Sequence, residues 1–219
     1  MQHIIWDWNG TLFDDLPVVV DSVNASLARF GEGPIDAGTY RAHYRRPVPA
    51  FYESLLGRRI DDEMWRQIDE VFHDTYRRSL HRARVTPEAA RAVGLVAGSG
   101  STQSVLSMWW HDQLIAAVRR SGLEDHMLAV DGNRGEPGAA KAGQLDRHLR
   151  RLRDRHSRVA ASRVTVIGDI DDDAEAARAV GAACVLFDSG SQPRDLLEAT
   201  GAPVTGSLVE AVRIAGIAG

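Results

Sequence analysis

The sequence predicts an α/β fold, a doubly wound parallel sheet with an all-helical domain inserted after the first strand. Three observations carry this. Short apolar runs alternate with helical patterns from about residue 85 onward, the signature of parallel strands joined by crossover helices. A stretch of roughly 70 residues, 16–84, shows only helical patterns. Several strands end on polar or acidic residues, Asp7, Ser107, Asp131 and Asp169, and sites in such sheets form at the carboxyl ends of strands.

Ile4-Ile5-Trp6 reads as a buried strand. Residues 16–31 follow, with Val19, Val23 and Leu27 at helical spacing and Gly31 as a stop. Residues 36–45 and 46–57 read as shorter helices, and 61–82 as the longest, with Met64, Ile68, Val71, Phe72 and Tyr76 on one stripe. The core resumes with a helix over 86–97, where Pro87 is tolerated near the start. A turn over 98–103, a strand over 104–109 and a helix over 111–122 come next. Then follow a strand (127–132), a loop (132–143), a helix (142–156) and the strongest strand (163–169). A helix (171–182), a strand (183–188) and a last helix (207–215) complete the chain. The expected domains are therefore 1–15 with 85–219 as the α/β core, and 16–84 as the helical insert.

The chain has 219 residues and a net charge of −4 spread along its length, which suggests neither a nucleic-acid nor a membrane partner. It has one cysteine, Cys184, so no internal disulfide forms, and a reducing compartment fits. The N-terminus enters a strand within three residues and shows no signal peptide or transmembrane run, so a cytoplasmic protein is expected. Of 26 basic residues, 25 are arginine, and the one lysine is Lys141.

Four stretches hold groups with chemistry. In "DWNGT", a carboxylate at a strand tip, Asp7, can attack phosphorus or simply cap a turn. Gly10 lets the backbone turn its N–H groups toward a phosphate, and Thr11 adds a hydroxyl. In "GDIDDD", Asp169 ends an apolar strand and Asp173 follows four residues on. Four carboxylates in five residues need solvent, a helix N-terminus or a hard cation such as Mg²⁺; Asp171 and Asp172 read as solvated. The Ser107 hydroxyl can bond a phosphoryl oxygen or satisfy the strand end; Ser99, Ser101 and Thr102 are rivals in the glycine-rich turn. Lys141, in a loop before a helix, offers a compact point charge where the sequence otherwise uses arginine.

In this order the stretches resemble the motifs of the haloacid dehalogenase-like (HAD) hydrolase superfamily: Asp7-Trp8-Asn9-Gly10-Thr11, Ser107, Lys141, and Gly168-Asp169-Ile170-Asp171-Asp172-Asp173. The insert resembles the C1 cap of phosphoglycolate-phosphatase-like members. The resemblance implies a Rossmann-like core and an Mg²⁺-dependent phosphatase acting on a small phosphorylated metabolite. Asp7 would be the nucleophile, and Ser107 and Lys141 would hold the phosphoryl oxygens. Asp7, the Asn9 carbonyl, Asp169 and Asp173 would hold Mg²⁺, the last directly or through water. The sequence departs from the family at Asn9, where its phosphatases usually carry a general acid/base aspartate, a function worth ~10²–10⁴ in rate. Three consequences are open: an acidic leaving group such as that of an acyl phosphate, a proton from His43, His73, His81 or His111, or a catalytically weak ligand-binding protein. The insert has no lysine, against phosphonatase chemistry, and the acidic fourth motif argues against metal-free dehalogenation. Arg45, Arg46, Arg58 and Arg59 are candidates to close over the substrate, and Trp109, Trp110 and His111 to line its mouth. The arginines of the helix from Asp146 to Arg158 read as a solvated face.

Overall fold

The computed structural model describes residues 2–135, 140–156 and 163–217. Six parallel strands form the sheet, in the order β5-β4-β1-β6-β7-β8. They are β1 (His3–Trp6), β4 (Thr102–Trp110), β5 (Val130–Asn133), β6 (Val164–Gly168), β7 (Ala183–Phe187) and β8 (Val204–Thr205). The chain runs outward from β1 through β4 to β5, then returns to the other side of β1 to lay down β6. The strand order reverses at β1, and a crevice opens at its carboxyl end.

Alternation along β1 divides the core. Ile4 and Trp6 join a cluster with α5 (Ala89–Gly98), α6 (His111–Arg120) and α10 (Leu208–Ile214). Ile5 points to the opposite face and packs with α7 (Lys141–Arg155) and α8 (Asp171–Ala179). The sheet is thus covered on both faces, and the strands at its centre, β1 and β6, carry mostly apolar residues. Trp6 is tolerated in the central strand because its indole N–H donates to Gln103 Oε1 at 2.9 Å. His3 is held between the Thr102 and Ser104 hydroxyls at 2.7 and 2.9 Å. Burial, with the nearby His148 and His156, pushes its pKa down to about 3.

Helices α1 (Leu16–Ala28), α2 (Ala37–His43), α3 (Val48–Leu56) and α4 (Asp62–Ser79) form a layer with a hydrophobic cluster of its own. Asp61 caps α4 by accepting from the Met64 N–H at 2.8 Å. Two short strands, β2 (Phe13–Asp14) and β3 (Arg84–Val85), pair antiparallel where the chain enters and leaves this layer.

Some elements differ from expectation. Lys141 is the first residue of α7 and not a loop residue. Strand β4 starts at Thr102, inside the expected turn, and runs past Ser107 to Trp110. Helix α9 (Arg194–Ala199) and strands β2, β3 and β8 have no counterpart in the sequence reading, because pieces of two to six residues carry no measurable period. Residues 136–139 of the expected loop, and Ser157 and Arg158 of the arginine-rich helix, lie outside the described residues.

Candidate active site

Asp7 follows β1 directly, and its backbone N–H donates to the Ile167 carbonyl at 2.8 Å, which carries the sheet pattern one residue past the strand. The side chain is therefore held rigidly at the crevice. Asp169 follows β6, the neighbouring strand. Asp173 sits in the first turn of α8, where its Oδ2 accepts from the N–H groups of Asp169 and Ile170, both at 3.2 Å. Lys141 reaches in from α7 and places Nζ 2.7 Å from Asp7 Oδ1 and 2.5 Å from Asp173 Oδ1. Four expected residues from four separate segments are thus brought together.

Three buried carboxylates face one buried ammonium. Oxygens of Asp7, Asp169 and Asp173 lie within 4.8 Å of one another. Burial raises the pKa of Asp7 to about 7, opposed by Lys141 and reinforced by Asp173. Burial, then the charges of Asp7 and Asp173, raise that of Asp169 to about 8. For Lys141, burial pulls downward but the two carboxylates outweigh it, so the ammonium stays charged. This set of hard oxygen donors with surplus negative charge fits a divalent cation such as Mg²⁺. Asp173 has both oxygens engaged, whereas among the described residues no side chain donates to Asp7 Oδ2.

Three glycines let the backbone close on this cluster. Gly10, at φ +75°, has no room for a Cβ, which would lie 2.2 Å from Asp169 Oδ2. At Gly168 a Cβ would meet Asp173 Cγ at 2.1 Å, and at Gly190 it would meet Asp169 at 2.4 Å. The 188–192 loop, which the sequence did not mark, also brings the Ser191 N–H to Asp169 Oδ2 at 2.7 Å. From the helical layer, Arg41 grips this loop, donating to the carbonyls of Gly190 and Ser189 at 2.8 Å each.

Gly10 and Thr11 do not stand where the sequence placed them. The Gly10 N–H donates to the Phe13 carbonyl at 2.9 Å and to Asp15 Oδ1 at 3.3 Å, so it does not turn toward a phosphate. Thr11 is fully buried, and its hydroxyl donates to Asp169 Oδ1 at 3.3 Å. Both shape the Asp169 pocket from behind. Ser107 faces the site at the place where β4 loses register with β5, between Leu106 and Trp110. Its hydroxyl donates to Asn9 Oδ1 at 3.3 Å and accepts from the Trp109 N–H at 3.1 Å. The rival hydroxyl of Thr102 lies at the opposite end of the strand, bonded to His3. Asp131 is not part of the convergence. It is the second residue of β5, not its tip, and turns to His148 at 2.7 Å and Arg151 at 3.0 Å. Asp171 and Asp172 stay outside the carboxylate cluster but are not simply solvated: both are part-buried, Asp171 accepting from Gln192 at 3.1 Å and Asp172 facing Arg46 at 3.5 Å.

Asn9 sits in a small network. Its Nδ2 donates to Asp15 Oδ2 at 2.8 Å and to the Tyr76 hydroxyl at 3.0 Å, and Tyr76 donates to Asp15 Oδ2 at 2.6 Å. Asp15 precedes α1 but does not cap it. Burial raises its pKa, against the hydrogen bonds from Tyr76 and Asn9. Asp15 and Tyr76 were missed in the sequence; an acidic residue before a helix reads first as a cap.

Above the carboxylates opens a cavity of about 290 Å³ that extends into the helical layer. Asp7, Asn9, Ser107, Lys141 and Asp169 line it, and of the further arginine, histidine and tryptophan candidates named from sequence, Arg46, His73 and Trp109 do. Arg45, Arg58 and Arg59 are exposed elsewhere, and Trp110 is 45% exposed. His43 bonds Ser54, His81 bonds the Arg78 carbonyl, and His111 faces Gly132 and Arg134 around a separate hollow.

The family model for haloacid dehalogenase-like hydrolases matches residues 1–181. The chain is a haloacid dehalogenase-like hydrolase. Within that family this hydrolase is 30% identical, over 91% of its length and 89% of the relative's, to a phosphoglycolate phosphatase of Synechococcus elongatus. It is 25% identical to one of Mesorhizobium japonicum, covering 89% and 86%. Its fold is that of a haloacid dehalogenase-like family protein from Streptococcus pneumoniae, with a TM-score of 0.82 at 15% identity over 98% of each chain. Among the described residues of the hydrolase, no helix is long and apolar enough to cross a membrane.

Proposed function

We propose that this hydrolase is an Mg²⁺-dependent phosphatase that cleaves a phosphate monoester of a small metabolite through an aspartyl-phosphate, with helices α1 to α4 as the expected cap. The observation that carries the reading is the Asp7–Lys141–Asp173 bridge, with contacts of 2.7 and 2.5 Å, beside a third buried carboxylate. It fixes Oδ1 of Asp7, while among the described residues no side chain donates to Oδ2. The phosphoglycolate phosphatase relatives support the phosphate-ester class.

In the first step Asp7 Oδ2 bonds to phosphorus as the bond to the leaving oxygen breaks, and that oxygen takes a proton from solvent water. Lys141 Nζ and the Ser107 hydroxyl hold the non-bridging oxygens. Water then adds to phosphorus, the bond to Asp7 breaks, and inorganic phosphate and the carboxylate are released with the water's proton. Asp7, Asp169, the Asn9 carbonyl and Asp173 would hold Mg²⁺. When bound, the cation neutralises charge on the transferring phosphoryl group.

One observation favours a second reading, a catalytically weak protein that binds phosphate esters. The group at position 9 is an amide, committed to Asp15 and Tyr76, and it holds no transferable proton. Of the proposed histidine substitutes, His73 alone lines the cavity among the described residues. Assay of wild type, Asp7→Asn and Asn9→Asp with a panel of phosphate esters separates the readings. We expect Mg²⁺-dependent turnover by wild type and a loss of about 10³-fold or more in Asp7→Asn. An inert wild type that Asn9→Asp activates supports the binding protein. Equal turnover by wild type and Asp7→Asn removes the nucleophile.

A further inference from the structure

The cavity is lined by a polar floor and a largely aromatic wall. Asp7, Asn9, Asp169 and Lys141 form the floor, where a phosphoryl group would lie, and Asp15, Arg46, Asp69 and His73 also line the space. The walls above are rings. Tyr40 and Tyr44 stack at 5.1 Å between centroids, and Phe51 meets both edge-on at 5.4 and 5.7 Å. Tyr52 meets Trp65 at 6.2 Å, and Phe72 stacks with Tyr76 at 5.9 Å. Val19, Val23, Val48 and Ile68 fill the spaces between them.

The side chains on these walls already have partners. The Arg46 guanidinium faces Asp172 at 3.5 Å, and the His73 ring lies 3.4 Å from Asp69. Lys141, the remaining cation among the described lining residues, lies between Asp7 and Asp173. A leaving group with its own carboxylate would enter a space lined by Asp7, Asp15, Asp69 and Asp169, where among the described lining residues Arg46 is the one arginine and already faces Asp172. An apolar ring would meet edge and face partners on several sides. The space is sufficient: an apolar cavity of about 150 Å³ is enough to hold benzene.

Resting on the phosphatase reading, we infer that the chamber beneath α1 to α4 selects phosphate monoesters whose leaving group is apolar and ring-bearing, and not a short carboxylate such as glycolate. The geometry assigns Tyr40, Phe51, Tyr52, Trp65 and Phe72 as the specificity-determining walls.

The test compares 2-phenylethyl phosphate, ethyl phosphate and phosphoglycolate as substrates of the wild-type enzyme with Mg²⁺. The first two leave as ordinary alcohols, so their difference reports the chamber and not leaving-group acidity. We expect kcat/KM for the phenylethyl ester to exceed that of each of the others by about 10- to 100-fold, the gain from burying one aromatic side chain. In parallel, calorimetry measures binding of 2-phenylethylphosphonate and methylphosphonate, which cannot turn over, and the former should bind tighter by a similar factor. Phosphoglycolate as the best substrate, or equal affinity for the two phosphonates, overturns the assignment. If no ester is turned over, the phosphatase reading fails by itself, and the phosphonate pair still decides what the chamber accepts.

Discussion

The acidic end of the sheet and the chamber above it are built by opposite means. At the sheet, charged groups are immobilised by backbone: Asp7 by a strand hydrogen bond, Asp173 by two N–H groups at a helix start, Asp169 by the Ser191 N–H. In the chamber, rings are held by other rings, with few directional bonds. The first arrangement is costly and tolerates no change of size, as the three glycines pressed against carboxylates show. The second rests on burial and shape, and hydrophobic surfaces of that kind accept substitution if volume is kept. Chemistry is thus fixed where the backbone is fixed, and selectivity lies where side chains can be exchanged.

The contrast can be broken most sharply at Lys141. Replacing it with methionine keeps the length but leaves three buried carboxylates without their ammonium. In metal-free buffer Lys141→Met should lose about 3–5 kcal/mol in urea unfolding. A loss below 1 kcal/mol, about that of an exposed ion pair, would show that the cluster is solvated and not held dry.

A second effect follows from pH. The Asp7 and Asp169 carboxyls are raised from 3.8 to about 7 and about 8. Between those limits the folded state binds more protons than the unfolded chain, so stability falls as pH rises from about 4 to about 8. Each group contributes up to ~1.4 kcal/mol per pH unit inside its window. With EDTA present, the thermal midpoint should be lower at pH 8 than at pH 5.5, and excess Mg²⁺ should narrow the gap. A flat profile in EDTA contradicts the surplus of buried negative charge.

The smallest change is expected at Tyr76, where the two regions meet. Tyr76→Phe keeps the ring stacked on Phe72 but removes the 2.6 Å bond to Asp15. It should cost about 1–2 kcal/mol in stability. Its effect on kcat should be far below that of Asp7→Asn. A loss of turnover as large as that of Asp7→Asn would move Tyr76 from the chamber to the chemistry.

The same division explains what the sequence disclosed. Asp7 and Asp169 were legible because each follows an apolar strand, Asp173 because it lies four residues beyond Asp169, and Lys141 because it is the one lysine of the chain. Ser107 was legible for a partly wrong reason: it lies at a register break inside a longer strand, not at a strand end. Gly10 and Thr11 were assigned to substrate because a glycine turn after a strand suggests a phosphate loop, while their hydrogen bonds in fact run inward to Phe13, Asp15 and Asp169. Asp131 resembled its neighbours by type alone. Asp15 and Tyr76, 61 residues apart in the chain, meet only through the packing of α1 on α4. No local pattern encodes that meeting, nor which rings of the insert face inward. Gly190 and Ser191 lie in a loop whose importance comes from approaching Asp169, a long-range contact that composition does not reveal.

The solitary lysine has a practical corollary. At 4% exposure, and locked between two acids, Lys141 offers amine-reactive reagents almost nothing while the chain is folded. Acylation of Lys141 is then the mark of opening. The protein therefore carries a built-in counter of its own unfolding, readable by intact mass without any engineered label.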